Sequence, residues 1–300
     1  MIFAVFAITG LVTIACNRHT KSPPSPIISP TGITMVWIPA GTFTMGSPEA
    51  EKGRWDGESP QRTVTLIGFY MGMYPVTQEQ YETVMGTNPS SFSSNPASGE
   101  VQAKRPVETV YWYEALVFAN KLSLIEGLTP AYRIDGSTDP ADWGEVPTAF
   151  FNTIWNTVEI VDGSTGYRLP TEAQWEYACR AGTATAFNNG VNDWEDEATV
   201  DPVGWLRFNS GGMTHEVGRK TANAWGLYDM HGNIFEWCWD WFGLYPGEDQ
   251  ADPPGPSRGS RRIMRGGDWV DLGDIARSAY RDYGTPHYRS HYLGFRLVRP

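Results

Sequence analysis

Apolar and polar positions along the chain fall into three textures. Residues 1–16, MIFAVFAITGLVTIAC, are almost uninterrupted apolar sequence, and residues 17–31, NRHTKSPPSPIISPT, carry no period that could be buried. From residue 32 onward, short stretches of alternation and of helical spacing are separated by Gly and Pro. MVWIPAGTFTMGS (35–47) alternates apolar and small residues around Pro39-Ala40-Gly41, and VTLIGFYMGMYPVT (64–77) continues with β-forming residues until Pro75, so both predict strand and turn. Thr77 has Gln80 three residues on, the spacing of a capping box, which predicts a helix through QEQYETVMG. VYWYEALVFANKLSLIEG (110–127) has helical spacing and ends on Gly127. Thr171 with Gln174 repeats the box ahead of Trp175, Tyr177 and Ala178.

Composition narrows the class. A hydrophobic share of 41% over 300 residues is enough for a core, and 13 Trp with 32 Gly and 22 Pro point to a loop-rich α+β domain pinned by large aromatics. The net charge of −11 excludes the basic footprint of a nucleic-acid binder. No repeat of 20–50 residues and no second compositional shift divides residues 32–300, which read as one unit.

The apolar start is too short to cross a hydrocarbon layer of about 30 Å, but it has the length of a signal-peptide core. Ile14-Ala15-Cys16 resembles the end of a bacterial lipobox, with Thr13 where Leu is usual; this implies cleavage before Cys16 and lipidation of its thiol. An ordinary secretory signal with a chance cysteine is the alternative. Either way the protein is expected to be exported, and the lipidated form would be an outer-membrane lipoprotein at the bacterial surface. Residues 17–31 are then a Pro/Ser-rich tether between membrane and domain.

The succession MVWIPAGTFTMGS, YPVTQEQYETVM, RPVETVYWYEALVFANKLS, YRLPTEAQWEYACRAGT, NAWGLYDMHGNIFEWCWDW, RGGDW and LGFRLVRP resembles the formylglycine-generating-enzyme family, the sulfatase-modifying-factor domain, in the family's own order. The resemblance implies a C-type-lectin-like fold of the formylglycine-generating-enzyme subtype, with short antiparallel strands and few helices. It also implies where chemistry should be sought. The family's oxidising enzymes hold copper on a cysteine pair, and the first of these positions here is Asp271. No cysteine follows Cys238, so copper is not expected and neither is the family's redox step. The five His, at 19, 215, 231, 287 and 291, lack metal-ligand spacing. Cys179 and Cys238 sit among aromatics in settings typical of buried free thiols, and a disulfide between them is the alternative. A structural Ca²⁺ is implied at Asp229 and Glu236 through their side chains and at Gly232 and Ile234 through their carbonyls, all oxygen donors. The alternative there is a turn capped by Asp229, with Glu236 paired to an arginine.

The last stretch, RGGDWVDLGDIARSAYRDYGTPHYRSHYLGFRLVRP, interleaves a frame with gaps. The frame (RGGxW, ARSAxR, Pro286 and LGFRLVRP) resembles the variable region of the family's diversity-generating-retroelement branch, in which adenines of Asn codons are randomised. Such randomisation never yields Lys, Glu, Gln, Met or Trp. The gap positions are Asp268, Val270, Asp271, Leu272, Gly273, Asp274, Tyr280, Asp282, Tyr283, Gly284, His287, Tyr288, Ser290, His291 and Tyr292, and none carries a forbidden residue. Their Tyr, Gly, Ser and Asp are the mixture used by binding loops. Trp269, Arg277, Arg281, Phe295 and Arg296 are expected to turn inward or to pin loops.

Three functions are compatible with these readings. The first is a monomeric surface lipoprotein, not an enzyme, that binds a protein or other surface ligand through a hypervariable patch with Tyr280, Tyr283, Tyr288 and Tyr292 as anchors. The second is an exported enzyme using Asp271, His287 or His291. The third is a structural or maturation factor of the cell envelope. The anchor is directly testable: the full-length protein should partition into detergent and Cys16→Ser should release it, because acyl chains supply the membrane affinity. Recovery of an unmodified Cys16 from the membrane fraction would end the idea.

Overall fold

The computed structural model describes residues 24–149 and 152–300, so Cys16, its apolar leader and the first part of the tether lie outside the described residues. Folded structure begins earlier than residue 32. Ile27–Ile28 pairs antiparallel with Thr34–Ile38, since two adjacent β-branched residues can extend a sheet even in Pro-rich surroundings.

Local chemistry explains the helices. In α1 (Gln78–Met85) the Thr77 hydroxyl accepts from Gln80 N at 3.4 Å and the Gln80 side chain accepts from Thr77 N at 3.0 Å. Gly86, at φ +80, ends the helix in the left-handed region that favours glycine. In α2 (Trp112–Ile125) the Glu114 carboxylate accepts from Tyr111 N at 2.8 Å, so the helix starts two residues later than its apolar period. In α3 (Glu172–Arg180) Thr171 and Gln174 form the second box, with bonds of 3.2 and 3.1 Å. A short α4 (Glu197–Val200) is the other α-helix among the described residues.

The strands are short and form small sheets. One has the order 27–28, 34–38, 69–72, 298–299, so the beginning and the end of the domain lie in the same antiparallel sheet. Another has the order 282–284, 262–265, 235–241, 293–294, and a third joins 250–251, 62–66 and 41–45. Most pairings are antiparallel, but 235–241 with 293–294, 250–251 with 62–66 and 204–205 with 231–232 run parallel. Long crossovers return the chain to those edges, which alternation alone does not reveal.

One part of the core surrounds α2, with Trp112, Leu116, Phe118, Trp237 and Phe295; another surrounds α3, with Trp175, Ile38, Met71 and Val298. Every residue of α3 is buried, including Glu172, Glu176 and Arg180. A charged helix can be enclosed on all sides only where its charges are paired. Arg180 pairs with Glu176 within the helix, and the further partners of Glu172 and Glu176 come from the last segment of the chain.

Phe295 is 0% exposed, packing on Phe118 and Tyr81 with centroid distances of 5.3 and 6.3 Å. In denaturant titration Phe295→Ala should therefore lose about 3–5 kcal/mol. Leu272, 44% exposed, should tolerate Ala within about 0.5 kcal/mol. A Phe295→Ala loss no larger than that of Leu272→Ala would contradict the packing described.

Candidate ligand-binding face

The frame of residues 265–300 is fixed from beneath by guanidinium groups. Arg265 reaches Glu176; Arg277 donates to Glu58 through Nη1 and Nη2, at 2.9 and 2.6 Å, and to Glu51 at 2.5 Å. Arg281 grips Glu172 through Nε and Nη2 at 2.5 and 2.7 Å, and Arg296 grips both oxygens of Glu236 at 2.7 Å each. All four arginines are at most 2% exposed. Trp269 takes the second of its two expected roles, pinning a loop. It is half-buried rather than in the core, meeting Phe92 edge-on at 5.3 Å and His291 at 5.5 Å. An aromatic between two gap positions is held by the neighbouring loop instead of by the interior, so Trp269→Ala should not open a core cavity.

Between these anchors, Val270, Leu272, Tyr288 and His291 are exposed. Asp271, Asp274, Tyr280, Asp282, Tyr283, His287, Ser290 and Tyr292 are half-buried. The remaining three gap positions are buried. Asp268 accepts from Val270 N at 2.6 Å, a Cβ on Gly273 would come within 2.9 Å of the Trp194 carbonyl, and one on Gly284 would come within 3.0 Å of Trp237. These sites have less freedom than open gaps. Tyr288 and Tyr292 share a short hydroxyl contact, and the His291 ring lies 5.5 Å from that of Tyr292. Tyr283 stands apart from this group, packed on Phe242 at 4.1 Å with Arg261 over its ring at 4.9 Å.

Asp268 and Asp271 are neighbours: Asp268 N donates to Asp271 Oδ2 at 3.1 Å. Burial, and then the adjacent carboxylate of Asp271, raises Asp268 to about 8; burial raises Asp271 to about 7, with Asp282 and Asp274 adding to it. Residues outside the segment that sequence reasoning missed complete the face. Phe92 supports Trp269 and His291, and the buried Glu108 carboxylate accepts from Phe92 N at 2.7 Å and from the Thr109 hydroxyl at 2.6 Å. The Ser/Asn-rich run SSFSSN around Phe92 was the available signal, since an aromatic set in a polar loop often reports a surface contact.

The other candidates resolve into internal packing. Cys179 and Cys238 are both free and buried, and burial pushes the Cys179 thiol up to about 12. His231 is lowered by burial to about 4; as a neutral ring it donates from Nδ1 to Ala276 O at 2.7 Å and accepts from Asn188 N at 3.2 Å. His215 bonds Glu100 at 2.8 Å and Ser210 O at 2.7 Å. His287 lies beside Thr285, 3.3 Å from its hydroxyl.

At the turn proposed for calcium, Asp229 and Gly232 both take positive φ, +54 and +87. Arg296 engages both Glu236 oxygens, Trp175 Nε1 donates to Glu236 at 2.8 Å, and Gly218 N donates to Asp229 at 2.7 Å. A cation already neutralises the carboxylate that would have to bind the ion. These contacts at Asp229 and Glu236 are those of the arginine-paired turn, and no step of the function is routed through calcium.

A loop-rich α+β domain with small sheets and a terminal segment pinned from within is the C-type-lectin-like class in its formylglycine-generating-enzyme form. The chain belongs to the family of the sulfatase-modifying factor enzyme 1-like domain, whose description matches residues 23–300. Among solved structures it is similar to Treponema denticola variable protein 1, at 39% identity and a TM-score of 0.80, covering 89% of this chain and 95% of that one. Among curated relatives it is similar to the chaperone protein LppX of Paenibacillus barcinonensis, at 38% identity, covering 79% of this chain and 82% of that protein. It is also similar to the formylglycine-generating enzyme of Mus musculus, at 29% identity, covering 95% and 81%. The family thus includes enzymes alongside a variable protein.

The aspartates generate a pH prediction. Their folded pKa values are raised, so the folded state holds these protons more tightly than the unfolded chain does. Stability from Asp268 and Asp271 is present in acid and is lost as pH rises through about 7 to 8. Asp240, raised to about 7 by burial and then Glu172, adds to the same slope elsewhere. The thermal midpoint should fall between about pH 4, where the unfolded carboxyls ionise, and about pH 8, and Asp271→Asn should flatten part of that fall; an unchanged slope in Asp271→Asn would refute the role of the pair.

Proposed function

We propose that this protein binds ligands through residues 265–300, that the gap side chains are its recognition surface, and that a retroelement diversifies them. We further propose that it is an exported monomer, held at the bacterial surface by lipid on Cys16. The observation that carries the reading is the division inside one segment: four arginines are enclosed in ion pairs while Val270, Leu272, Tyr288 and His291 reach solvent. The likeness to Treponema denticola variable protein 1 supports binding as the activity. The present side chains favour a protein ligand, because tyrosine supplies broad contact area at low entropy cost while the small polar residues between adapt to it.

A second reading has one observation in its favour. The Asp268–Asp271 pair holds protons near neutral pH at the position where family enzymes keep cysteine, as a general acid or base requires.

A displayed library separates the two. Val270, Asp271, Leu272, Tyr280, Asp282, Tyr283, His287, Tyr288, Ser290, His291 and Tyr292 would be replaced by types reachable from Asn codons and the products scored for folding. Most members should fold, because substitutions at accessible sites usually change stability by no more than about 0.5 kcal/mol each. Binding should be recoverable for more than one target. A library that is mostly unfolded would sink the paratope reading. The neighbouring genome supplies a second test: a near-copy of the segment, with Asn codons at the gaps, beside a reverse transcriptase.

A further inference from the structure

Beyond the strand 235–241, residues 243–256 wall a cavity of about 190 Å³ against Arg62, Glu172 and Arg281, and no gap residue lines it. Two guanidinium groups stack on one ring there: Arg62 lies 4.3 Å and Arg281 lies 3.9 Å from the Tyr245 centroid. Their surroundings differ. Arg281 is neutralised by Glu172 and donates to the carbonyls of Gly57 and Gly243 at 2.8 and 3.1 Å.

Arg62 has no carboxylate partner among the described residues. It is 9% exposed, its Nη2 donates to the Met45 thioether at 3.5 Å, and its Nε is buried with no acceptor. A thioether is a weak acceptor and leaves the charge uncompensated. Asp240, also in the wall, does not supply the missing anion: among the described residues it forms no ion pair, its Oδ2 takes the Glu172 N–H at 2.8 Å, and its carboxyl is raised by burial. A buried cation without a counter-ion is costly, so this wall is electrostatically incomplete without a ligand. Leu244, Pro246, Pro254 and Pro256 give the rest of the cavity an apolar lining.

We infer that this cavity is a second binding site, independent of the variable face, for a small molecule that carries one carboxylate on a short apolar body. Arg62 would recognise the carboxylate by charge and a forked hydrogen bond, and Tyr245 and the prolines would take the body. The cavity has room for a short-chain acid and none for a polymer.

The test is calorimetric titration of the purified protein with sodium propionate at constant ionic strength. Saturable binding is expected in the wild type and in Leu272→Ala. Arg62→Met should weaken it at least about tenfold, and Arg62→Lys should retain more of it than Arg62→Met. Should Arg62→Met fail to fold, Leu244→Trp decides: a bulky ring in the cavity wall must weaken propionate binding, and unchanged binding overturns the site. No saturable heat in the wild type, equal affinity in a folded Arg62→Met, or an identical isotherm with inorganic phosphate would likewise overturn it.

Discussion

Everything on the candidate face of residues 265–300 rests on buried pairing between its arginines and carboxylates made earlier in the chain. Arg277 meets Glu51 and Glu58, Arg281 meets Glu172, Arg265 meets Glu176, and Arg296 meets Glu236. Such pairs add little net stability compared with an apolar replacement of the same volume, yet removing one partner costs about 3–5 kcal/mol because the other charge is left buried alone. Their effect is geometric. Each arginine accepts one backbone position for its segment, and between the arginines Asp268 and Asp271 add side-chain bonds to Val270 N and Asp268 N.

The sheets extend the same constraint. Strand 282–284 pairs with 262–265, and strand 293–294 lies beside 235–241, so the stretches carrying Tyr283 and Tyr292 leave and rejoin ordered backbone within a few residues. Side chains between those points can change while the main chain keeps its hydrogen bonds. Gly273 and Gly284 mark the limit of that freedom, since any added Cβ meets Trp194 or Trp237.

Much of this was legible from the sequence where the determinants are local. Thr77 with Gln80 and Thr171 with Gln174 announce two helices because a capping box is written in four residues. In the last segment, residue type and the resemblance together marked frame and gaps; the four frame arginines are buried, and of the gaps Asp268, Gly273 and Gly284 are buried as well. Long-range partners were not legible. Glu51 stands 226 residues from Arg277 and Glu236 stands 60 from Arg296, and nothing near either glutamate says which cation it will meet. Which of its two expected roles Trp269 would take was hidden for a related reason: large aromatics usually go inward, but Phe92 offered this one a partner nearer the surface. Burial of the whole of α3 was also hidden, since a helix with Glu172, Glu176 and Arg180 looks solvated until its partners are known.

The final strand, Val298–Arg299, closes the sheet that also contains residues 27–28, and Val298 exchanges hydrogen bonds with Arg168 at 2.7 and 2.9 Å. Closure therefore waits for the last residues to be synthesised. A message copied with a slipped reading frame anywhere between residues 268 and 292 would yield a chain lacking Phe295, Arg296 and Val298, with Glu236 stranded and the sheet open. Folding itself would then act as a full-length filter on sequence change in the segment, admitting changes of letter and rejecting changes of frame.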